Sequence, residues 1–451
     1  MMNAVLKMRR GGNWVSRRGA MFTAVCMMVS MTTGCPFIPP QTLSVVDLAV
    51  GSPNGLILDK DIVPGPYDTA KVLLYFDVLQ GDNQQDPEVV ITSEDIELAY
   101  PADIVLTESD LYVADMVTDR VLIWRDYRGL EAKGGSALEP DVILTTEIEN
   151  PTQIIVEDNR LFVLSDGAPG GVAIFGDAAG ITADVAPDTF VEFGDALAME
   201  YEDDILYVGG FAYVLGKVSE EQAVVVYPSV TGLLEPDLKG LLAEDIVVLA
   251  GPSWANLDDN GPVIPQGLRV VDNELFVSTQ VNFLFTFSPA DALVDEQVPD
   301  AIISETNGAL LSPKAMEAVG CRLFVGNSGL SRIRAKEEKS NSVGMVAFDD
   351  ATNVVTGQTP DVVFDTSSAQ ISAVMDLASE ENVLFVAASN ASPVFLTKIV
   401  PFGSYYTVGD VHIYLDADDL PFGWQADIVL PAMKDFTVPT AIDVNAQFTG
   451  N

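Results

Sequence analysis

The chain has 451 residues, 48% of them apolar, and carries 66 acidic against 23 basic residues, a net charge of −43. This apolar content excludes a disordered chain, and the length exceeds what one ordinary compact core supports unless that core is built by repetition. The acidity excludes nucleic acid and anionic lipid headgroups as partners, because such a surface repels both; it suits solubility in salt-rich surroundings more than Ca²⁺ capture, since scattered carboxylates need not converge on a metal.

Residues 1–18 hold five of the basic residues (Lys7, Arg9, Arg10, Arg17 and Arg18) and no acid. Residues 19–34, GAMFTAVCMMVSMTTG, are apolar and small, too short for a spanning helix, and follow the bases in the order of an export signal. The run closes on Thr32-Thr33-Gly34-Cys35, which resembles the bacterial lipoprotein signal, with Thr32 in the place of the usual Leu. That resemblance implies acylation of Cys35 and an exported protein held in the cell envelope by its lipid alone. Pro36 stands where an Asp would signal inner-membrane retention in some bacteria, so the expected address is the outer membrane. The expected organisation is a signal peptide over 1–34, a Pro-rich tether over 35–41 and one domain over 42–451. Without its leader the chain keeps 18 of the 23 bases against all 66 acids, a net charge of −48. Cysteine counting leaves Cys321 alone in the body, where it reads as a small packing residue just before a strand.

Three landmarks then recur. The first is a Pro opening an apolar stretch, at Pro101, Pro151, Pro265, Pro313 and Pro439. The second is an apolar-aromatic-Val triplet beginning at Leu111, Leu161, Leu206, Leu275, Leu323 and Leu384. Each of the first four prolines precedes its Leu by ten residues, and Ala196 stands ten before Leu206. A constant ten fits a strand, a tight turn and a second strand paired back on the first. The third landmark is an acid-led apolar strand, as in Pro140-Asp141-Val142-Ile143-Leu144 and Pro299-Asp300-Ala301-Ile302-Ile303, preceded each time by another apolar strand. Seven such outer pairs occur, with little helical periodicity between them.

Four antiparallel strands per repeat predict an all-β chain, a β-propeller of seven four-stranded blades, six being the alternative count. The outer pair near Val72 lacks inner strands before it, and the segment from Pro439 lacks outer strands after it. The N- and C-terminal strands are therefore expected to close one blade together, the C-terminus giving the inner pair. The units resemble NHL repeats, best in Leu111-Tyr112-Val113-Ala114-Asp115 with Asp119-Arg120-Val121-Leu122-Ile123, and in Pro439-Thr440-Ala441-Ile442-Asp443-Val444. Other blades depart, with Gly209-Gly210, Ser278-Thr279 and Gly326-Asn327 in place of Ala-Asp, so the resemblance speaks to fold.

Long irregular segments fall between second and third strands (211–222, 330–342 and 389–410) and between blades (251–264), all on one expected face. Two have character as binding candidates: Phe395, Phe402, Tyr405 and Tyr406 form an aromatic group, and Arg332, Arg334 and Lys336 form a basic spot on an acidic body. Chemistry is sparse by contrast. The one histidine, His412, reads as an ordinary strand residue, and no GxSxG, P-loop or CxxC occurs. Asn256, Asp258 and Asn260, followed by Gly261, resemble the start of a calcium loop, but Gly267 stands where the bidentate Glu would be. Two residues past each inner-strand Pro or its equivalent come Asp103, Gln153, Ala198, Gly267, Ala315 and Ala441, one acid among six, which is no metal ring. The expected function is a non-catalytic binding or scaffolding module for an envelope protein or small molecule, with no cofactor. The alternative is a calcium-dependent hydrolase of a small lactone or ester in the channel.

Overall fold

The computed structural model describes residues 46–52, 55–58, 61–64, 70–80, 85–92, 96–133, 138–167, 170–212, 221–235, 246–249, 263–304, 310–328, 343–365, 371, 373–389, 409–420, 425–430, 439 and 441–446. The chain divides into Met1–Thr42 and Leu43–Asn451, and every described residue belongs to the second unit. Cys35 therefore lies outside the described residues.

Blade two shows why these sequences become strands. It runs Pro101–Leu106, Leu111–Asp115, Arg120–Trp124 and Val142–Leu144, each antiparallel to the one before. The strand Leu111–Asp115 is buried at every position, which is why it reads as a continuous apolar run rather than an alternation. Its successive side chains serve opposite interfaces. Leu111 and Val113 pack with Ala49, Val72 and Leu74 of blade one (strands Val46–Ser52 and Lys71–Tyr75), whereas Tyr112 and Ala114 pack with Leu161, Val163 and Ala173 of blade three (strands Arg160–Ser165 and Gly171–Phe175). The same division recurs around the ring, giving seven apolar layers, one for each pair of adjacent blades. Among the described residues, sheet pairing gives seven four-stranded antiparallel sheets and one extra two-stranded hairpin. The chain is a seven-bladed propeller.

The constant spacing of ten has a local cause. The innermost strands of blades three, four and five (Pro151–Glu157, Gly194–Glu202 and Pro265–Val271) turn into their partners through two residues, both at positive φ: Asp158-Asn159, Asp203-Asp204 and Asp272-Asn273. Such two-residue turns match strand twist, and Asp and Asn tolerate the left-handed region best among residues with a Cβ. Each innermost strand of blades two to seven also breaks register near its start, as between Pro101 and Asp103, where a residue without an N–H costs no ladder bond. Cys321 occupies a turn position in the corresponding hairpin of blade six (innermost strand Pro313–Val319), where its carbonyl accepts from Ala351 N at 2.8 Å. It is half-buried there.

Ring closure also differs from expectation. Blade one is ordered Ala441–Ala446, Val46–Ser52, Lys71–Tyr75, Val89–Thr92, so the C-terminus supplies only the innermost strand and the N-terminal part supplies three. The second strand, VDLAVGS, is buried throughout. It lacks the apolar-aromatic-Val triplet that marks this position elsewhere, which is why the sequence pattern passed over it.

The acid-led landmark is explained by a hydrogen bond. The acid before the fourth strand accepts the backbone N–H of the first residue past the third strand. This occurs at Glu88–Phe76 (2.9 Å), Asp141–Arg125 (2.8 Å), Asp188–Gly176 (2.7 Å), Asp300–Ser288 (2.7 Å), Asp361–Asp349 (2.9 Å) and Asp427–Leu415 (2.9 Å). Each fixes one end of the connection between the outer strands. Several of those connections also reach the outermost strand of the preceding blade or the residue just past it: Asp184 accepts from Thr145 N, Asp295 from Val248 N, and Thr356 Oγ1 from Ile302 N. A strand edge that would otherwise present bare backbone groups is thereby covered.

The scarce arginines act between blades as well. Arg125 donates to the carbonyls of Ala178 and Ile181, Arg322 to those of Ala417 and Leu420, Arg128 to Asp47, and Arg160 to Tyr201 Oη, Asp204 and Thr231.

Candidate functional site

Two surfaces of a propeller can carry function: the channel lined by the innermost strands, and the faces formed by the connections. The channel is built from Ala441–Ala446, Pro101–Leu106, Pro151–Glu157, Gly194–Glu202, Pro265–Val271, Pro313–Val319 and Ala373–Glu380, packed side by side in that order and closing on the first.

Pairing with the second strands sorts the channel side chains into tiers. Asp103, Gln153, Ala198, Gly267 and Asp376 are each paired with the residue three past the triplet Leu, and Ala441 takes the corresponding place in blade one. Asp376 corrects the sequence reading of one acid at this level. Blade seven has no inner-strand Pro, yet Val374 lies ten before Leu384 and Asp376 two beyond it, so the spacing alone would have found this residue. Gly267 is required by close approach, because a Cβ there would stand 2.0 Å from the carbonyl oxygen of Lys314 on the next blade.

Two residues further along each strand comes a tier the sequence reading missed: Val105, Ile155, Glu200, Arg269, Glu317, Ala378 and Asp443.

These polar groups link neighbouring blades. An innermost strand has a free edge toward the channel, and its N–H groups need acceptors. Asp103 accepts from Ile154 N (2.7 Å), Asp376 from Ile442 N (2.9 Å) and Asp443 from Leu106 N (2.6 Å). Gln153 both accepts from Met199 N (2.8 Å) and donates to its carbonyl (3.0 Å). Arg269 bridges Glu317 (2.8 Å) and Glu200 (3.6 Å), Val270 N donates to Glu200 (3.4 Å), and Ser379 Oγ donates to Glu317 (2.9 Å). Every one of the seven seams is thus joined by at least one channel side chain.

The electrostatics follow from burial. Asp443 is pushed up to about 8 by burial, with Asp376 and Glu317 adding repulsion. Glu200 is pushed up to about 7 by burial against the opposing pull of Arg269. Asp103 and Asp376 are likewise raised by burial, Asp103 further by the charge of Asp376. Arg269 is held more firmly protonated, first by Glu317. Among the described residues no three His, Cys, Asp or Glu side chains converge as a metal site. The channel carboxyls instead face neighbouring backbone donors.

The faces differ in a second way. Connections between outer strands emerge at one end of the blades. In blades one, three, five, six and seven they span 76–88, 176–188, 288–300, 349–361 and 415–427, all of one length. Connections between second and third strands emerge at the other end, and they range from 280–282 and 116–119 to 213–220, 328–342 and 390–408. Residues 53–70 of blade one join this class and contain the extra hairpin Gly55–Leu58 with Asp61–Pro64, which the sequence reading did not separate from the blade. Of the candidates named from sequence, Phe395, Phe402, Tyr405, Tyr406, Arg332, Arg334, Lys336, Asn256, Asp258 and Asn260 all lie outside the described residues. His412 lies within the strand Gly409–Tyr414, as expected, but it is 3% exposed with neither ring nitrogen hydrogen-bonded.

No protein-family model matches the sequence, and no curated protein does. Solved structures do match. Two are described as a putative 6-phosphogluconolactonase, one from Bacteroides uniformis and one from Bacteroides fragilis. Each shares 12% sequence identity with this chain at a TM-score of 0.52; the first covers 89% of this chain and the second 90%, with 100% of each matched protein aligned. At that identity the likeness shows the fold, a β-propeller, and the chemistry must be argued from this chain's own residues.

Proposed function

We propose that this protein is a cell-envelope lipoprotein, anchored through Cys35, whose NHL-like propeller acts as a non-catalytic binding or scaffolding module through the face that carries the connections between second and third strands. The observation that carries this reading is the contrast between the two ends of the blades. Length varies from 280–282 to 390–408 at one end, whereas five connections share one length at the other. Loops on a rigid scaffold are where recognition is usually built, and these blades are stapled to one another along the channel and the rim. The channel favours the same reading, because its carboxyls, Gln153 and Arg269 are engaged in joining blades.

The test places a photo-reactive residue at position 402, and separately at positions 184 and 294 on the opposite face, in the full-length protein in its native envelope. Adducts formed from 402 and lost when 390–408 is shortened to a three-residue turn support the reading; adducts formed from 184 or 294 alone refute it. Membrane association and leader processing that survive Cys35→Ala unchanged would remove the lipid anchor.

A second reading, a calcium-dependent hydrolase of a small lactone or ester, draws on the fold likeness to the two Bacteroides proteins and on the Glu200–Arg269–Glu317 group in the channel. It requires one tightly bound Ca²⁺ per chain and chelator-sensitive melting; a metal-free protein whose melting ignores chelator sinks it.

A further inference from the structure

Blade one is held differently from the rest. Its innermost strand, Ala441–Ala446, comes from the far end of the chain and closes the ring as a single segment paired to Val46–Ser52. Both seams flanking it carry a carboxyl-to-backbone hydrogen bond, joined on the blade-two side by Asn445 Nδ2, which donates to the Thr107 carbonyl. Asp376 reaches across from blade seven to Ile442 N, and Asp443 reaches on to Leu106 N of blade two. The next seam repeats the device, with Asp103 on Ile154 N. The remaining seams use a neutral amide, an ion-paired group or a hydroxyl: Gln153 with both backbone groups of Met199, Arg269 between Glu200 and Glu317, and Ser379 on Glu317.

We propose that the closing strand is a pH-sensitive latch: joint ionisation of Asp376, Asp443 and Asp103 loosens the two seams that hold Ala441–Ala446 and opens the ring at the blade joining the chain's ends, while the neutral amide seam at Gln153 stays shut.

The charges around the latch support this. Asp443 faces Asp376 on the blade-seven strand and Glu317 on the blade-six strand. Asp376 faces Glu317 and one cation, Lys314. Asp103 faces Asp376 and Asp443. On the paired strand Val46–Ser52, Asp47 is already matched by Arg128. One lysine against several carboxyls leaves the ionised cluster repulsive, and each carboxyl must also shed water to reach its backbone donor. Asp443 reflects the balance, since its carboxyl is pushed up to about 8 although Leu106 N and Val444 N both favour its charged form.

The test is pulsed amide hydrogen exchange on the full-length protein between pH 6 and 9, corrected for intrinsic rates, comparing Ile442–Val444 with Met199 at the seam joined by the neutral amide of Gln153. The expected result is an opening constant for Ile442–Val444 that rises tenfold or more relative to Met199, with the rise cut below threefold in Asp443→Asn and in Asp376→Asn. Gln153→Glu should install a new pH-dependent opening at Met199. A wild-type ratio that stays flat overturns the proposal, and so do asparagine variants that respond as the wild type does. If Asp443→Asn fails to fold, Asp376→Asn and Gln153→Glu decide the matter by themselves.

Discussion

Replacing Arg269 by Met should destabilise the propeller by an amount that depends on pH. Arg269 lies 2.8 Å from Glu317 and 3.6 Å from Glu200, and those two carboxyl groups are 89% and 91% buried. Removing one partner of such a group leaves carboxylates facing each other without compensation, which in fully buried cases costs roughly 3–5 kcal/mol. The guanidinium side chain is 34% exposed to the channel, so solvent screening reduces the expected loss to about 2–4 kcal/mol at pH 8. Glu200 already titrates at about 7 with Arg269 present, and losing the cation raises it further. Between the ordinary Glu value and that raised one, the folded variant binds more protons than the unfolded chain, so its stability falls as pH rises through the window. Near pH 5 Glu200 is neutral, and the penalty should shrink below about 1 kcal/mol. Urea unfolding of wild type and Arg269→Met at pH 5 and pH 8, with Arg269→Lys as the variant that keeps a charge, measures the difference. An equal loss at both pH values would refute the ionic account of this seam.

Three further outcomes follow from the same geometry. His412→Leu should stabilise the protein by about 1–2 kcal/mol at pH 7, because it removes a buried ring with two unpaired nitrogens. Burial holds His412 below its usual range, so the folded wild type resists the proton that the unfolded chain accepts; the gain should therefore widen as pH falls below about 6.5. Thermal melts at pH 5 and 7 with no change in the difference would contradict this. Asp300→Ala removes the 2.7 Å bond to Ser288 N and should cost about 1 kcal/mol in urea unfolding, with the same loss expected for Asp188→Ala at Gly176; a neutral result at both sites would make the acid-led landmark incidental. Ending the chain after Met433 deletes the closing strand, and Ile442 and Val444 with it from the layer between blades seven and one. Unfolding should begin at markedly lower urea and expose dye-binding apolar surface, whereas an unchanged midpoint would mean that six complete blades close without the seventh.

Much of the scaffold was written in local pattern. The triplets at Leu111, Leu161, Leu206, Leu275, Leu323 and Leu384 are apolar on both faces because each second strand is sandwiched between two blades, and that environment leaves a continuous signature. The spacing of ten is legible because a two-residue turn fixes register within one hairpin. The acid-led strands were visible as a repeat, although their purpose, one hydrogen bond across the outer connection, was not.

Tertiary structure decided what depends on contacts between distant residues. Val46–Ser52 is a second strand only because Ala441–Ala446 returns to pair with it, a partnership that no local periodicity encodes. Glu200, Arg269, Glu317 and Asp443 look like scattered surface charges in the sequence. They become one tier of the channel because four strands, each from a different blade, deliver them to the same height. The sequence by itself determined the repeat and the strand chemistry, since these rest on apolar runs and turn residues within a few dozen positions, while the choice between seven and six blades was decided by the sheet pairing. Which carboxyls are buried, which blade each one holds and where the ring is most vulnerable were settled by closure, which brings residues 103, 376 and 443 to one channel and makes their charges answer to one another.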